Sequence, residues 1–261
     1  MSKIAVYGPS GMLGRNVVNL LGDDAVPVYR RDLFNLNGIR QSLEGCDGVI
    51  NCAGVIPVKN DTPITMIDVN SRFPHLLSEA CRQVGGIHVV LVSTDCVFSG
   101  RSRSRYQTTD NPDPRDYYGR SKVLGEVLAP HVCVVRTSFI GCDHGLMSMV
   151  LQAGQAAETT GTQVKIDGYK NALWTGSTVG AVAVKLIEML KDRVTGIQHL
   201  ATERSISKFD LLVKLVETNN LNIVVNPQQF PIVNRSLQPT VLLPNIDDAL
   251  REFPCRQLVA A

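Results

Sequence analysis

Apolar and polar positions divide the first half of this chain into two alternating kinds of segment. Residues 4–7, 25–29, 48–52, 88–92 and 131–136 are apolar almost throughout, the pattern of strands buried on both faces. Between them, apolar side chains recur at helical spacing. Val17, Val18, Leu20 and Leu21 mark one helix, residues 36–43 a short second one, and Leu76, Leu77, Ala80, Cys81 and Val84 one face of a third over 70–84. A fourth is expected to open at an Asp116 cap and to end at Ala129-Pro130. The order β, α, β, α, β, α, β, α, β predicts an α/β fold with a doubly wound parallel sheet and a ligand at the carboxyl ends of its strands.

After Cys142 the elements shorten. The pattern predicts a helix over 145–157, a strand over 164–166, a polar-aromatic loop over 167–174, a helix over 178–190 and a strand over 197–201. A helix over 207–216, a strand over 221–225 and a last helix over 246–253 follow. Residues 1–142 are therefore expected to form a nucleotide-binding domain of Rossmann type. Residues 143–261 are expected to form mainly a small C-terminal α/β substrate lobe, with 175–200 packing back on the sheet.

Composition narrows the function. The chain has 261 residues, 44% hydrophobic and 19% charged, with a formal net charge of +2. That is ordinary for a globular protein, and it argues against nucleic acid or an acidic membrane as partner. Arg101, Arg103 and Arg105 alternate with serines in what reads as a solvated loop. The seven cysteines are scattered without a CxxC pair, which suits reduced core thiols in the cytoplasm and neither a disulfide framework nor a metal site. The apolar run after Met1-Ser2-Lys3 is too short for a signal peptide or a membrane span.

Candidate chemistry begins with Gly8-Pro9-Ser10-Gly11-Met12-Leu13-Gly14, set between a strand and a helix. In that context Gly8 permits a tight turn, Gly11 admits a pyrophosphate and Gly14 allows close helix–strand packing. Arg30 and Arg31 at the tip of the second strand suit a 2′-phosphate, hence NADP before NAD, and Asp32 and Leu33 are expected under the adenine. The small residues Ala53 and Gly54 suit close passage of a dinucleotide. Asn70 is either a helix cap or a polar contact to that cofactor. Thr94 ends an apolar strand, while Tyr118 and Lys122 stand four apart on one helix face. A hydroxyl, a phenol and an amine together suit protonation of an alkoxide as hydride reaches carbon, with the amine expected to depress the phenol's pKa.

With Ser93-Thr94-Asp95, Val97-Phe98, Gly100, Tyr118-Gly119, Ser121-Lys122 and Gly125-Glu126 in place, the chain resembles the extended short-chain dehydrogenase/reductases, and within them the dTDP-4-dehydrorhamnose reductase family. The resemblance implies a Rossmann domain with a C-terminal sugar-binding lobe, NADPH as cofactor and a nucleotide-linked 4-keto-6-deoxy sugar as substrate. It implies Thr94, Tyr118 and Lys122 as the catalytic triad, with Tyr118 as acid and Lys122 on the nicotinamide ribose. Gly11, Met12 and Leu13 would then follow the pyrophosphate, and Ala53, Gly54 and Val55 would pass under the dinucleotide. Thr94, Asp95, Cys96, Phe139, Asn171 and Trp174 are assigned to the substrate side. Homodimers occur in this superfamily, so a second copy is a candidate partner. Cys96 stands where the family usually has Tyr. It opens a second reading, a bifunctional 3,5-epimerase/4-reductase using the Cys96 thiol with His144. A third reading is a non-catalytic NADP-binding regulatory subunit. Cys96 after Asp95, where sugar dehydratases carry Glu, argues against dehydration.

Overall fold

A computed structural model describes residues 3–29, 34–57 and 62–252. Arg30, Arg31, Asp32 and Leu33 lie outside the described residues, so their expected cofactor contacts are not part of the account below. The first half runs β1 (Lys3–Tyr7), α1 (Met12–Leu21), β2 (Ala25–Val28), α2 (Leu36–Ser42), β3 (Cys46–Asn51), α3 (Pro63–Met66), α4 (Phe73–Gln83), β4 (His88–Thr94), α5 (Tyr117–Leu124) and β5 (Val132–Thr137). The second half adds β6 (Phe139–Ile140), α6 (Leu146–Thr160), β7 (Val164–Tyr169), β8 (Ala172–Trp174), β9 (Ser177–Thr178) and α7 (Val179–Lys191). It closes with β10 (Gly196–Thr202), β11 (Ile206–Ser207), α8 (Lys208–Thr218), β12 (Ile223–Gln228), β13 (Val233–Asn234), β14 (Val241–Leu243) and α9 (Ile246–Glu252).

Seven strands form one parallel sheet in the order β14-β10-β5-β4-β3-β1-β2. The strands are apolar on both sides of the pleat because both faces are covered. Ile4, Val6, Val90, Cys133 and Val135 pack under α1 and α7; Ala5, Tyr7, Val89, Leu91, Val132 and Val134 pack under α2 and α4. The direction of winding reverses between β1 and β3, which opens a crevice at their carboxyl ends. A separate core joins α6, α8 and α9 to Ile140, Trp174 and Ile223. Among the described residues, no helix is long and apolar enough to cross a membrane.

Several expected boundaries move. The helix expected over 70–84 begins at Pro63 and passes through a π-helical turn, Ile67–Arg72, before α4. Helix α5 stops at Leu124, where the Gly125 N–H bonds back to the Lys122 carbonyl, well short of Ala129-Pro130. The loop expected over 167–174 is mostly strand. β7 continues to Tyr169 along β12, and β8 lies between β11 and β13, because partners distant in sequence satisfy these polar backbones. Cys46, Cys52, Cys81, Cys96 and Cys133 are free thiols as expected. Cys142 departs from that expectation and is disulfide-bonded; it sits in a half-buried bend rather than in an apolar strand.

Among the described residues, the sheet core contains one buried ion pair. Arg136 on β5 donates to both Glu126 carboxylate oxygens at 2.9 and 2.7 Å, and Ser93 Oγ on β4 donates to Glu126 Oε1 at 2.6 Å. The guanidinium lies 5.1 Å from the centroid of the Phe98 ring, which stacks on Tyr106. Burial and Arg136 together push the neighbouring His199 down to about 4, so it stays neutral. Removing one member of such a pair strands the other charge. Arg136→Met is expected to destabilise the fold by about 3–5 kcal/mol in urea titration, with Arg136→Met/Glu126→Met recovering most of the loss. A loss below about 1 kcal/mol in the single variant contradicts this.

Candidate active site

The turn after β1 is shaped by contacts that side chains would obstruct. Gly8 has φ +73, and a Cβ there would lie 2.7 Å from Ala53 N and Cα at the exit of β3. A Cβ at Gly14 would collide with the Gly8 carbonyl, so α1 packs directly on the turn. Gly11 takes the N-cap position of α1 without a side-chain cap, which leaves the first helical N–H groups to an external acceptor. Gly141, just beyond β6, is packed against Met12. A glycine cradle at the sheet's crevice, facing an uncapped helix start, fits a dinucleotide pyrophosphate.

Thr94, Tyr118 and Lys122 meet at the carboxyl end of β4. Thr94 caps a 3₁₀ turn over Asp95–Val97, its Oγ1 accepting from Cys96 N at 3.1 Å. Asp116 caps α5, its carboxylate accepting from Gly119 N at 2.7 Å. Gly119 lets the helix sit on the turn, since a Cβ there would strike the Cys96 carbonyl oxygen. The seat places the Tyr118 phenol in hydrogen bond with Thr94. One turn further, Lys122 Nζ donates to the Val92 carbonyl at 2.7 Å. Asn70 holds the opposite wall. Its amide accepts from Val55 N and donates to Val55 O, both at 2.8 Å, and also donates to Ser121 Oγ at 3.0 Å. Asn70 is thus an internal clamp within the π-helical turn. Of the two roles expected of it, the helix cap is not the one it takes. Gly54 faces both Asn70 and Lys122, with a Cβ there falling 3.9 Å from Lys122 Nζ.

Burial governs the charges here. It pulls Lys122 down to about 8, with Glu126 and Cys52 acting in the other direction. The Tyr118 phenol is raised well above its ordinary value by burial and by the charges of Cys96, Asp95 and Asp116, while the Thr94 bond acts against them. This corrects the expectation that Lys122 depresses Tyr118. The amine points to the Val92 carbonyl and is not among the main influences on the phenol. Burial raises Asp95 and pushes the Cys96 thiol up to about 12.

The remaining expected residues divide. Phe139 is half-buried on β6 beside the Met12–Gly141 contact. Asn171 donates its amide to Gln229 O at 2.9 Å. Trp174 is 2% exposed, and its indole N–H donates to Ser138 Oγ at 2.7 Å, so it is a wall of the lobe core rather than a surface that substrate touches. His144 is exposed, and Cys96 Sγ instead accepts from Arg235 Nη1 at 3.2 Å. Lys208 and Arg235 are the residues that sequence reasoning missed. Lys208 Nζ lies 4.6 Å from the Trp174 ring centroid; both cations act on Asp95, and Arg235 also acts on Cys96. The one available signal was the basic Arg235 in the segment 235–239; Lys208 opens an ordinary amphipathic helix and carried none.

The chain is similar to known proteins in sequence and in fold. The family model described as the RmlD substrate binding domain matches residues 2–237. A dTDP-4-dehydrorhamnose reductase of Mycolicibacterium smegmatis is 32% identical over 228 residues, covering 80% of this chain and 66% of that protein. A probable low-salt glycan biosynthesis reductase of Haloferax volcanii is 28% identical, covering 81% of this chain and 78% of its own. Among solved structures, dTDP-4-dehydrorhamnose reductase of Bacillus anthracis in complex with NADP superposes with a TM-score of 0.84. It is 21% identical and covers 97% of this chain and 99% of that one.

The charge assignment at Lys122 is open to direct titration. Because burial penalises the ammonium, its proton leaves at lower pH than that of a solvated lysine, which titrates near about 10.4. In ¹³C-labelled lysine NMR, one resonance is expected to titrate near pH 8 and to be missing from Lys122→Met. A Lys122 midpoint in the ordinary range contradicts the assignment.

Proposed function

This chain belongs to the RmlD substrate binding domain family, and from that premise we propose that it reduces a nucleotide-linked 4-keto-6-deoxy sugar to the 4-hydroxy sugar with NADPH. The observation that carries the proposal is the meeting of Thr94, Tyr118 and Lys122 beside a glycine cradle fit for a dinucleotide. NADPH, when bound, supplies the hydride. Gly8, Gly11, Met12, Leu13 and Gly14 would hold its pyrophosphate, with Ala53, Gly54 and Val55 along the facing wall. Lys122, beside Gly54, would hold the ribose next to the nicotinamide. The preference for NADP over NAD rests on Arg30 and Arg31 in the sequence, and the Bacillus anthracis relative was solved with NADP.

Tyr118 acts as the acid in this scheme. Its buried phenol stays protonated at neutral pH. That is the form needed to give a proton to an oxygen that becomes anionic as hydride reaches its carbon. In the same surroundings an alkoxide is a stronger base than a phenolate, so the transfer from phenol to sugar oxygen runs downhill. Thr94 orients the phenol through their hydrogen bond and offers its hydroxyl to the same substrate oxygen.

The two other readings have less support. A proton shuttle at Cys96 needs an accessible thiolate, but the thiol is pushed up to about 12 and its partner is Arg235, not His144. A non-catalytic subunit has no need of this alignment, and the relatives described above carry reductase names.

NADPH oxidation against dTDP-, UDP-, GDP- and CDP-linked 4-keto-6-deoxy sugars tests the proposal. At least one is expected to be turned over, with NADH a poorer donor. Tyr118→Phe is expected to bind NADPH as before and lose turnover by a factor of about 10² or more. Full turnover in Tyr118→Phe, or none of the panel reduced by the native chain, contradicts it.

A further inference from the structure

The C-terminal lobe brings two cations to a turn that carries one carboxylate. Lys208 is the first residue of α8. Its position is fixed from three sides: Ser207 caps the helix by accepting from Asp210 N, and the β11–β8 pairing puts Ser207 opposite Leu173 and Ile206 opposite Trp174. The ammonium lies over the Trp174 ring, 4.6 Å from its centroid, where the ring's negative face attracts a cation. It is drawn by Asp95 and Cys96 and repelled by Arg235. Arg235 is set by the packing of the 233–235 segment on Gly100. It donates Nη1 to the Cys96 sulfur at 3.2 Å, while its Nε is buried without a hydrogen-bond partner. Thr94 Oγ1 lies 3.3 Å from Asp95 Oδ1, so this cluster is continuous with the hydroxyl that meets Tyr118.

A carboxylate beside an ammonium has the chemistry of a hydroxyl site, since a hydroxyl donates to the first and accepts from the second. A diphosphate suits it poorly, because Asp95 would face it with like charge and because the cluster adjoins the acid rather than the far side of a sugar ring. In a 4-keto-6-deoxy pyranose, one neighbour of the carbonyl carbon, C3, bears a hydroxyl, and the other, C5, bears a methyl group and the ring oxygen, which accepts a hydrogen bond but cannot donate one to a carboxylate. The polar side of the site therefore matches C3. We infer that Lys208 is a specificity-determining residue whose ammonium, held over the face of Trp174, donates to the C3 hydroxyl of the substrate. The inference rests on the reduction proposed above and names the substrate feature which that same site reads.

The experiment compares two substrates that differ only at C3, a nucleotide-linked 4-keto-6-deoxy sugar and its 3-deoxy counterpart. The native chain is expected to favour the hydroxylated one by at least about tenfold in kcat/KM, since an unpaired polar site penalises the analogue. Lys208→Met is expected to lose about tenfold or more on the hydroxylated substrate, mainly through KM, and little on the deoxy one. The preference then collapses, while the Kd for NADPH is unchanged. Lys208→Arg, which keeps a charged donor, is expected to retain part of the preference. Equal losses on both substrates, or a preference undiminished in Lys208→Met, overturn the inference. Should Lys208→Met not fold, Lys208→Gln replaces it with the same two outcomes. If the native chain reduces neither substrate, the reduction reading has failed. Calorimetric binding of the same two nucleotide sugars then decides the inference separately: a preference lost with Lys208 supports it, and equal binding of both by the native chain overturns it.

Discussion

The bond from the Lys122 ammonium to the Val92 carbonyl, 2.7 Å long and buried, joins the helix that carries the acid to the strand that carries the hydroxyl. Everything near the site is arranged around the cost of placing that charge in the interior. Burial alone would expel the proton, so the amine is surrounded by groups that favour the charged form: a backbone oxygen, the Glu126 carboxylate beyond the end of α5, and Cys52 on the adjacent strand exit. Glu126 is fixed in turn by Arg136 and Ser93, which belong to the central strands. The active helix is thus tied to the sheet core by a continuous polar network. Its register on β4 follows from backbone contact at Gly119 and from the Asn70 and Ser71 bonds to Ser121.

That network explains how two titratable groups on one helix face serve different ends. Lys122 stays available as a cation at neutral pH while being easier to deprotonate than a solvated lysine. Tyr118, on the same face of α5, is held neutral by its own burial and by the acidic turn at Asp95 and Cys96. In the proposed reduction, the acid is supplied by keeping the phenol protonated, and the amine contributes position. A proton delivered only when the substrate oxygen becomes strongly basic suits a reductase, because nothing is released before hydride arrives.

Much of the nucleotide half was legible in the sequence, for a physical reason. A parallel sheet covered on both faces writes its strands as continuous apolar runs, and Gly8 and Gly14 answer to backbone crowding that local spacing reveals. What escaped depended on partners far along the chain. Residues 167–174 look like a loop because β7 and β8 are short and polar and become strands only against β12, β11 and β13. Asn70 could look like a cap because the π-helical turn that draws it inward is set by its tertiary bonds to Val55 and Ser121, which local spacing does not show. The Tyr118 shift was misjudged because helical spacing places Lys122 on the same face but does not say where its amine points. Lys208 gave no signal at all, since a lysine at a helix start acquires meaning only from the Trp174 ring and the Asp95 turn it meets.

The central claim is that a proton from Tyr118 meets an oxygen whose carbon receives hydride from the bound nicotinamide. The most direct test is a single turnover with NADPH carrying deuterium at nicotinamide C4, followed by NMR of the sugar nucleotide. The account predicts one equivalent of deuterium at sugar C4 on a single face, none at C3 or C5, and no transfer in Tyr118→Phe on the same timescale. Deuterium retained wholly in the dinucleotide by a chain that binds both partners, or transfer at full rate without the phenol, would contradict it.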